Sequence, residues 1–198
     1  LHSANQFDER DGYVNSALLY MGLFPYLDRL WFGEEFDYQH TSPDYWMNEI
    51  SGIPYALMGE LLQGGGNPWR GMLFGMTNRL PSNDPRALWK LWDAFGIEQA
   101  DMIGWWVHDT PVTTNNKDVL ATSYVRKGGK TLVALASWAP DTIRVKLRID
   151  WNALGFKPGN ARLVAPAVPG FQPAAEFGPG EAISIAPGKG WLVLIEPK

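Results

Sequence analysis

No cysteine occurs among the 198 residues. Disulfides, thiol nucleophiles and thiolate metal sites are therefore excluded, while the compartment is left open. Histidine is nearly as scarce. His2, His40 and His108 stand far apart and form neither an HExxH nor an HxH pattern, so no metal centre and no cofactor are expected. A strong charge of either sign is also missing. The 17 Lys and Arg set against 21 Asp and Glu leave a net charge of −4, with both signs mixed along the chain. Without a basic block, nucleic acid is not an expected partner. No apolar run approaches the length of a membrane span and no signal-peptide pattern is visible, so no membrane contact is expected. Internal repeats and low-complexity linkers are likewise lacking.

What the chain does have is apolar and aromatic mass. Hydrophobic residues make up 45%, enough for a substantial core. Ten Trp, seven Tyr and nine Phe exceed what a sugar-binding platform alone would need, so core packing must account for most of them. Trp31, Trp46 and Trp69 in particular read as core ahead of platform. The chain is organised around Leu27–Tyr38, where a short apolar run ends at Gly33 in Glu34, Glu35, Phe36, Asp37 and Tyr38. A buried strand that delivers acids and aromatics from its end suits sugar cleavage on a (β/α)8 barrel. A solvated acidic loop after a core strand fits the same letters equally well.

Before that stretch, residues 1–5 read as a strand end, and the sequence is expected to continue something longer. Val14–Phe24 reads as a helix stopped by Pro25. After it, Ser42-Pro43-Asp44 is a helix start: a capping hydroxyl, proline at the first position and an acid in the first turn. Gly52 and Pro54 keep that helix short. A second helix is expected over Tyr55–Gln63, closed by Gly64–Gly66, and a strand over Trp69–Met76 that delivers Thr77, Asn78 and Arg79 to a loop. Asp84-Pro85 opens the best-defined helix, with Leu88, Leu91, Trp92 and Phe95 on one face and Gly96 as its stop. Three strand–helix alternations imply parallel strands with right-handed crossovers.

Near Asp101 the periodicity changes. Asp118–Val125 and Lys130–Ser137 are β-rich and joined through Gly128-Gly129, a hairpin signal. Thr142–Ile149 alternates, with Ile143, Val145, Leu147 and Ile149 on one side and Arg144, Lys146 and Arg148 on the other. This is a half-buried antiparallel strand with a solvated basic face. Short strands follow at Ala161–Val164, Ala182–Ile185 and Trp191–Ile195. The expected fold is α/β plus all-β: about three βα units of a barrel over residues 1–100, then an antiparallel β-sandwich over 101–198.

Four stretches together carry a resemblance: Asp28–Glu34, Asn48–Pro54, Gly64–Met72 and Asp84–Trp92. They are similar to the last part of a glycoside-hydrolase-like (β/α)8 (TIM) barrel protein related to glycoside hydrolase family 123, whose barrel is followed by a C-terminal β-sandwich. The resemblance implies that the strands here are the sixth to eighth, with Leu27–Phe32 the seventh. It implies a hydrolase of O-glycosidic bonds in a carbohydrate, with one catalytic carboxylate, Glu34 or Glu35, at the end of strand seven. Family 123 itself uses an adjacent Asp-Glu pair earlier in the barrel. Here Asp8-Glu9 falls in a loop, so such a pair lies upstream of Leu1 or that mechanism does not apply.

The candidate catalytic residues are thus Glu34, Glu35 and, as alternate, Asp37. The candidate substrate-binding residues are His2, Asn5, Trp31, Asn78 and Arg79, grouped by the rule that strand ends share one barrel face. For Arg79, pairing with Asp11 or Glu34 is favoured over binding an acidic sugar. Three parallel strands leave open edges, so a homo-oligomer or a chain supplying the rest of the barrel is an expected partner. The alternative from another class is a non-catalytic carbohydrate-binding or assembly fragment.

Overall fold

The computed structural model describes residues 21–27, 37–57, 59, 66–78, 84–126 and 129–198. It divides into two compact units, Leu1–Pro85 and Arg86–Lys198, which are taken separately here.

Helical turns dominate the described part of the first unit. Met21–Tyr26 is a 3₁₀ turn with Pro25 inside it, not the end of an α-helix. Ser42 caps Pro43–Tyr45 as its letters predict, its Oγ accepting from the Tyr45 amide at 3.2 Å. The helix then widens into a π turn, Trp46–Ile50, closed when the Ser51 amide donates to the Trp46 carbonyl at 2.9 Å. The expected helix over Tyr55–Gln63 does not start where predicted. A 3₁₀ turn, Ile53–Tyr55, ends at Ala56, whose φ of 56° is left-handed and breaks the helical path.

The expected strand over Trp69–Met76 is also corrected: Pro68–Met72 is a helix. Asn67 caps it, Oδ1 accepting from the Arg70 amide at 3.1 Å, and Pro68 takes the first helical position. Residues 69–74 are all buried, so the segment has no polar face to betray its period. Trp46 stacks on Phe74 with centroids 6.0 Å apart, and Ile50, Met72, Leu73 and Met76 complete this core. Trp46 and Trp69 are core residues, as predicted. Among the described residues of this unit no multi-residue strand is present, and the expected strand Leu27–Phe32 lies outside them after Leu27. The barrel is not seen.

In the second unit a helix, Arg86–Phe95, leads into two antiparallel sheets. The helix buries Leu88 and Phe95, and Gly96 at φ 77° provides its left-handed stop. Arg126 latches that end, Nη1 donating to the Phe95 carbonyl at 2.6 Å and Nη2 to Gln99 Oε1 at 2.9 Å. The strands are β1 (Ala100–Ile103), β2 (Val112–Thr114), β3 (Val119–Arg126), β4 (Lys130–Ser137), β5 (Ile143–Ile149), β6 (Ala161–Ala165), β7 (Ala175–Phe177), β8 (Ala182–Ile185) and β9 (Gly190–Pro197). The larger sheet has the order β1-β3-β4-β9-β6-β7 and the smaller β2-β5-β8, with every pairing antiparallel.

Both sheets contribute to one core. Val112, Val145, Ile183 and Ile185 come from the smaller sheet, and Val119, Val133, Leu135, Leu163, Val193 and Ile195 from the larger. The β5 alternation is as predicted: Val145 is fully buried while Arg144, Lys146 and Arg148 are exposed. β1, β2 and β7, three or four residues long, carry no prediction; β8 is as short, but Ile183 and Ile185 alternate in it with Ala182 and Ser184.

Candidate functional site

Of the predicted site residues, Asp37 and Asn78 are described. Glu34, Glu35, Trp31, His2, Asn5 and Arg79 lie outside the described residues. Asp37 and Asn78 are both tied to the Pro68–Met72 helix, from opposite sides of the sequence.

Asp37 opens a tight polar turn. Its Oδ1 accepts from the amides of Gln39 at 3.1 Å and His40 at 3.0 Å, and the His40 ring nitrogen Nδ1 lies 2.9 Å from Oδ2. The Thr41 hydroxyl donates to the Asp37 carbonyl at 2.7 Å. This is an Asx turn, the local structure that aspartate favours. The His40 amide, then its side chain, hold the Asp37 carboxyl below the ordinary carboxylate value of 3.8. The pair is open to water, with the His40 side chain 85% exposed.

Arg70 anchors the turn from beneath. It sits in the buried helix with 4% of its surface exposed, and its Nη1 donates to the carbonyls of Tyr38 at 2.8 Å and Gln39 at 2.7 Å. Burial pushes its pKa down to about 10, while the charge of Asp37 pulls the other way. It therefore stays cationic at neutral pH. On the far side of the helix cap, Asn78 Nδ2 donates to the Gly66 carbonyl at 3.3 Å. Asn78 is buried, and its Oδ1 has no hydrogen-bond partner among the described residues.

Chemically, this arrangement favours a fixed, ionised carboxylate. A general acid for glycoside cleavage needs a raised pKa and a proton to give. Asp37 has the opposite: a lowered pKa and oxygens already receiving donors. It suits an electrostatic or positioning role for the adjacent acidic segment. Sequence reasoning passed over Arg70, whose signal is a lone guanidinium in the apolar run Trp69–Phe74. A buried cation must have partners, and here they are backbone carbonyls that no residue pattern announces. Among the described residues no group of His, Asp and Glu could hold a metal ion, and no helix is long and apolar enough to cross a membrane.

Comparison with known proteins gives two matches along the chain. Residues 84–196 match the family model described as glycoside hydrolase 123, C-terminal domain, and residues 1–81 that of the glycoside hydrolase 123 TIM-barrel domain. No curated protein matches. Among solved structures, the chain is similar to wild-type Abp, a GH27 β-L-arabinopyranosidase from Geobacillus stearothermophilus. The TM-score is 0.50 at 14% identity, with 91% of this chain and 47% of that one covered. The chain thus spans about half the length of that structure. At this identity the likeness concerns fold alone.

Proposed function

The chain belongs to the glycoside hydrolase 123 family, and from that premise we propose that it takes part in hydrolysing O-glycosidic bonds of a carbohydrate. The observation that carries the proposal is the pair of family matches, which together run from residue 1 to residue 196. In this reading the first unit, up to Pro85, belongs to the last βα units of a TIM barrel, and the second, from Arg86, is its C-terminal domain with the sandwich. Glu34, or Glu35 beside it, is the catalytic carboxylate at the end of the seventh strand. Asp37, held ionised by its own turn, positions that segment and stays charged throughout the cycle. His2, Asn5, Trp31 and Arg79 bind sugar on the same face, while buried Asn78, bonded to the Gly66 carbonyl, supports the segment that carries Arg79.

Glycoside hydrolysis needs a second carboxyl group across the bond, about 5–5.5 Å away for retention and about 6.5–9.5 Å for inversion. With its carboxyl held below the ordinary value by the His40 amide, Asp37 is not proposed as that acid. The partner acid is proposed to come from another part of the barrel, on a longer chain or on a second chain that pairs with the barrel edge. Kinetics on a panel of aryl glycosides test this. Glu34→Gln or Glu35→Gln is expected to lower kcat by a factor on the order of 10² or more, the range for losing one proton-transfer or nucleophilic group. Undiminished turnover in both variants would remove the strand-seven carboxylate. Sugar binding without any turnover would favour the second reading, a carbohydrate-binding fragment.

A further inference from the structure

The second unit holds a cleft of about 310 Å³ that nothing above uses. This is at the small end of the range for ligand pockets, roughly 300–1,000 Å³. It is formed where the chain passes from the larger sheet to the smaller: the segment after β1, strand β2 and the turn behind it, the start of β3, and Arg148 on β5.

One wall is held firmly. Trp106 folds back over buried Gly104 so closely that a Cβ on Gly104 would meet the indole ring. The Val107 amide donates to the Gly104 carbonyl at 3.0 Å, and the Trp105 amide to Thr122 Oγ1 at 3.3 Å. These bonds seat Trp105 against the cleft, with its ring edge-on to Trp106.

The polar groups around the cleft are unevenly used. The Thr114 hydroxyl is spent on the turn, bonded to the carbonyls of Asn116 and Val119 at 2.7 Å. Asn115 Oδ1 accepts from the Lys146 amide and Asn116 Oδ1 from the Asp118 amide, both at 2.8 Å. Because an amide N–H demands an acceptor, these bonds set the orientation of both side chains. What each asparagine has left is its NH₂, a donor. Trp105 Nε1 and Thr110 Oγ1 are buried and have no hydrogen-bond partner among the described residues. The Arg148 side chain is exposed and has no ion pair among the described residues. Lys117 adds a second cation, shared with Asp118 at 2.7 Å. None of the residues lining the cleft is an Asp or a Glu.

A cleft with donors left over, no carboxylate, one free guanidinium and one indole calls for a ligand rich in acceptors, bearing a negative charge and presenting an apolar face. A sugar ring with a carboxylate meets all three demands. We propose that this cleft is a non-catalytic subsite for an acidic sugar unit of the uronic acid type. Arg148 meets the carboxylate with its planar fork. The Asn115 and Asn116 amides donate to ring and hydroxyl oxygens, and Trp105 packs against the sugar's C–H face. This rests on the reading of the chain as carbohydrate-active, and it concerns a site in the other unit from the proposed catalytic segment.

Isothermal titration of the full chain tests it, with trigalacturonic acid, a neutral trisaccharide of galactose and inorganic sulfate as probes. Trigalacturonic acid is expected to bind, with the neutral trisaccharide at least tenfold weaker. Arg148→Gln should remove that tenfold preference, and Trp105→Ala should weaken both sugars while the thermal transition is retained. Run in the Glu34→Gln background, the same titration should be unchanged, so loss of catalysis and loss of this subsite are read separately. Equal affinity for acidic and neutral sugars, an Arg148→Gln protein that binds as before, or sulfate competing as well as the trisaccharide would each overturn the proposal. So would absence of binding in a chain that hydrolyses glycosides.

Discussion

Asp37 and Arg70 show how single residues come to matter through partners that lie elsewhere in the chain. Asp37 has its pKa lowered chiefly by the His40 amide, so in linkage terms it stabilises the fold above the ordinary carboxylate value and loses that contribution as pH falls through the folded value. The Gln39 and His40 amides report this directly, because both donate to Oδ1. Their NMR shifts are expected to titrate with a midpoint below 3.8 and to stop titrating in Asp37→Asn; a midpoint above that value would refute the bonding scheme. For Arg70 the test is stability. Arg70→Met removes a buried donor from two carbonyls, which is expected to cost about 2 kcal/mol. Arg70→Lys, with one compact ammonium in place of a fork, should recover only part of it. Urea denaturation of the three proteins measures both.

At the level of elements, the errors of sequence reading have particular causes. Trp69–Met76 looks like a strand because it is apolar but for Arg70, and a helix buried on every side has lost the polar face that gives its period away. The clue was local: Asn67-Pro68 is a cap followed by a first-position proline. Asn67→Ala should cost about 1 kcal/mol, the usual value of such a cap. Ala56 keeps the helix expected over Tyr55–Gln63 from starting at Tyr55, by taking a left-handed conformation that no alanine propensity foretells. In the sheets, alternation was readable in β5, and the bounds of β4 and β8 fall where expected. What could not be read is the crowding between strands. Gly190 pairs with Ala136, and a Cβ there would run into the Leu135 carbonyl. Gly190→Ala has no flexible side chain to push aside. It should destabilise by about 3 kcal/mol, the upper part of the overpacking range, visible as a lower denaturation midpoint.

For the molecule as a whole, the second unit has its own core drawn from both sheets, and its helix is latched by Arg126 within the same unit. A chain limited to residues 84–198 is therefore expected to give a β-type circular dichroism spectrum and a single cooperative thermal transition. A broad, featureless melt would show that it depends on the preceding residues. Composition alone already set broad limits: no cysteine and so no thiol chemistry, no block of basic residues, and enough apolar mass for a core. Periodicity located the change from helical segments to antiparallel strands, because alternation every second residue and recurrence every third or fourth are imposed by backbone geometry and survive any tertiary context. The Ser42 cap was legible for the same reason, since it acts on an amide three residues away; the Asn67 cap follows the same rule but was hidden by the apolar run behind it. Tertiary structure alone decided the rest. That Arg70 holds the Asp37 turn, that Arg126 closes a helix 31 residues earlier, and that Arg148 faces the same cleft as Trp105 all depend on contacts between distant segments, and a chain's letters carry no distance between residues until it has packed.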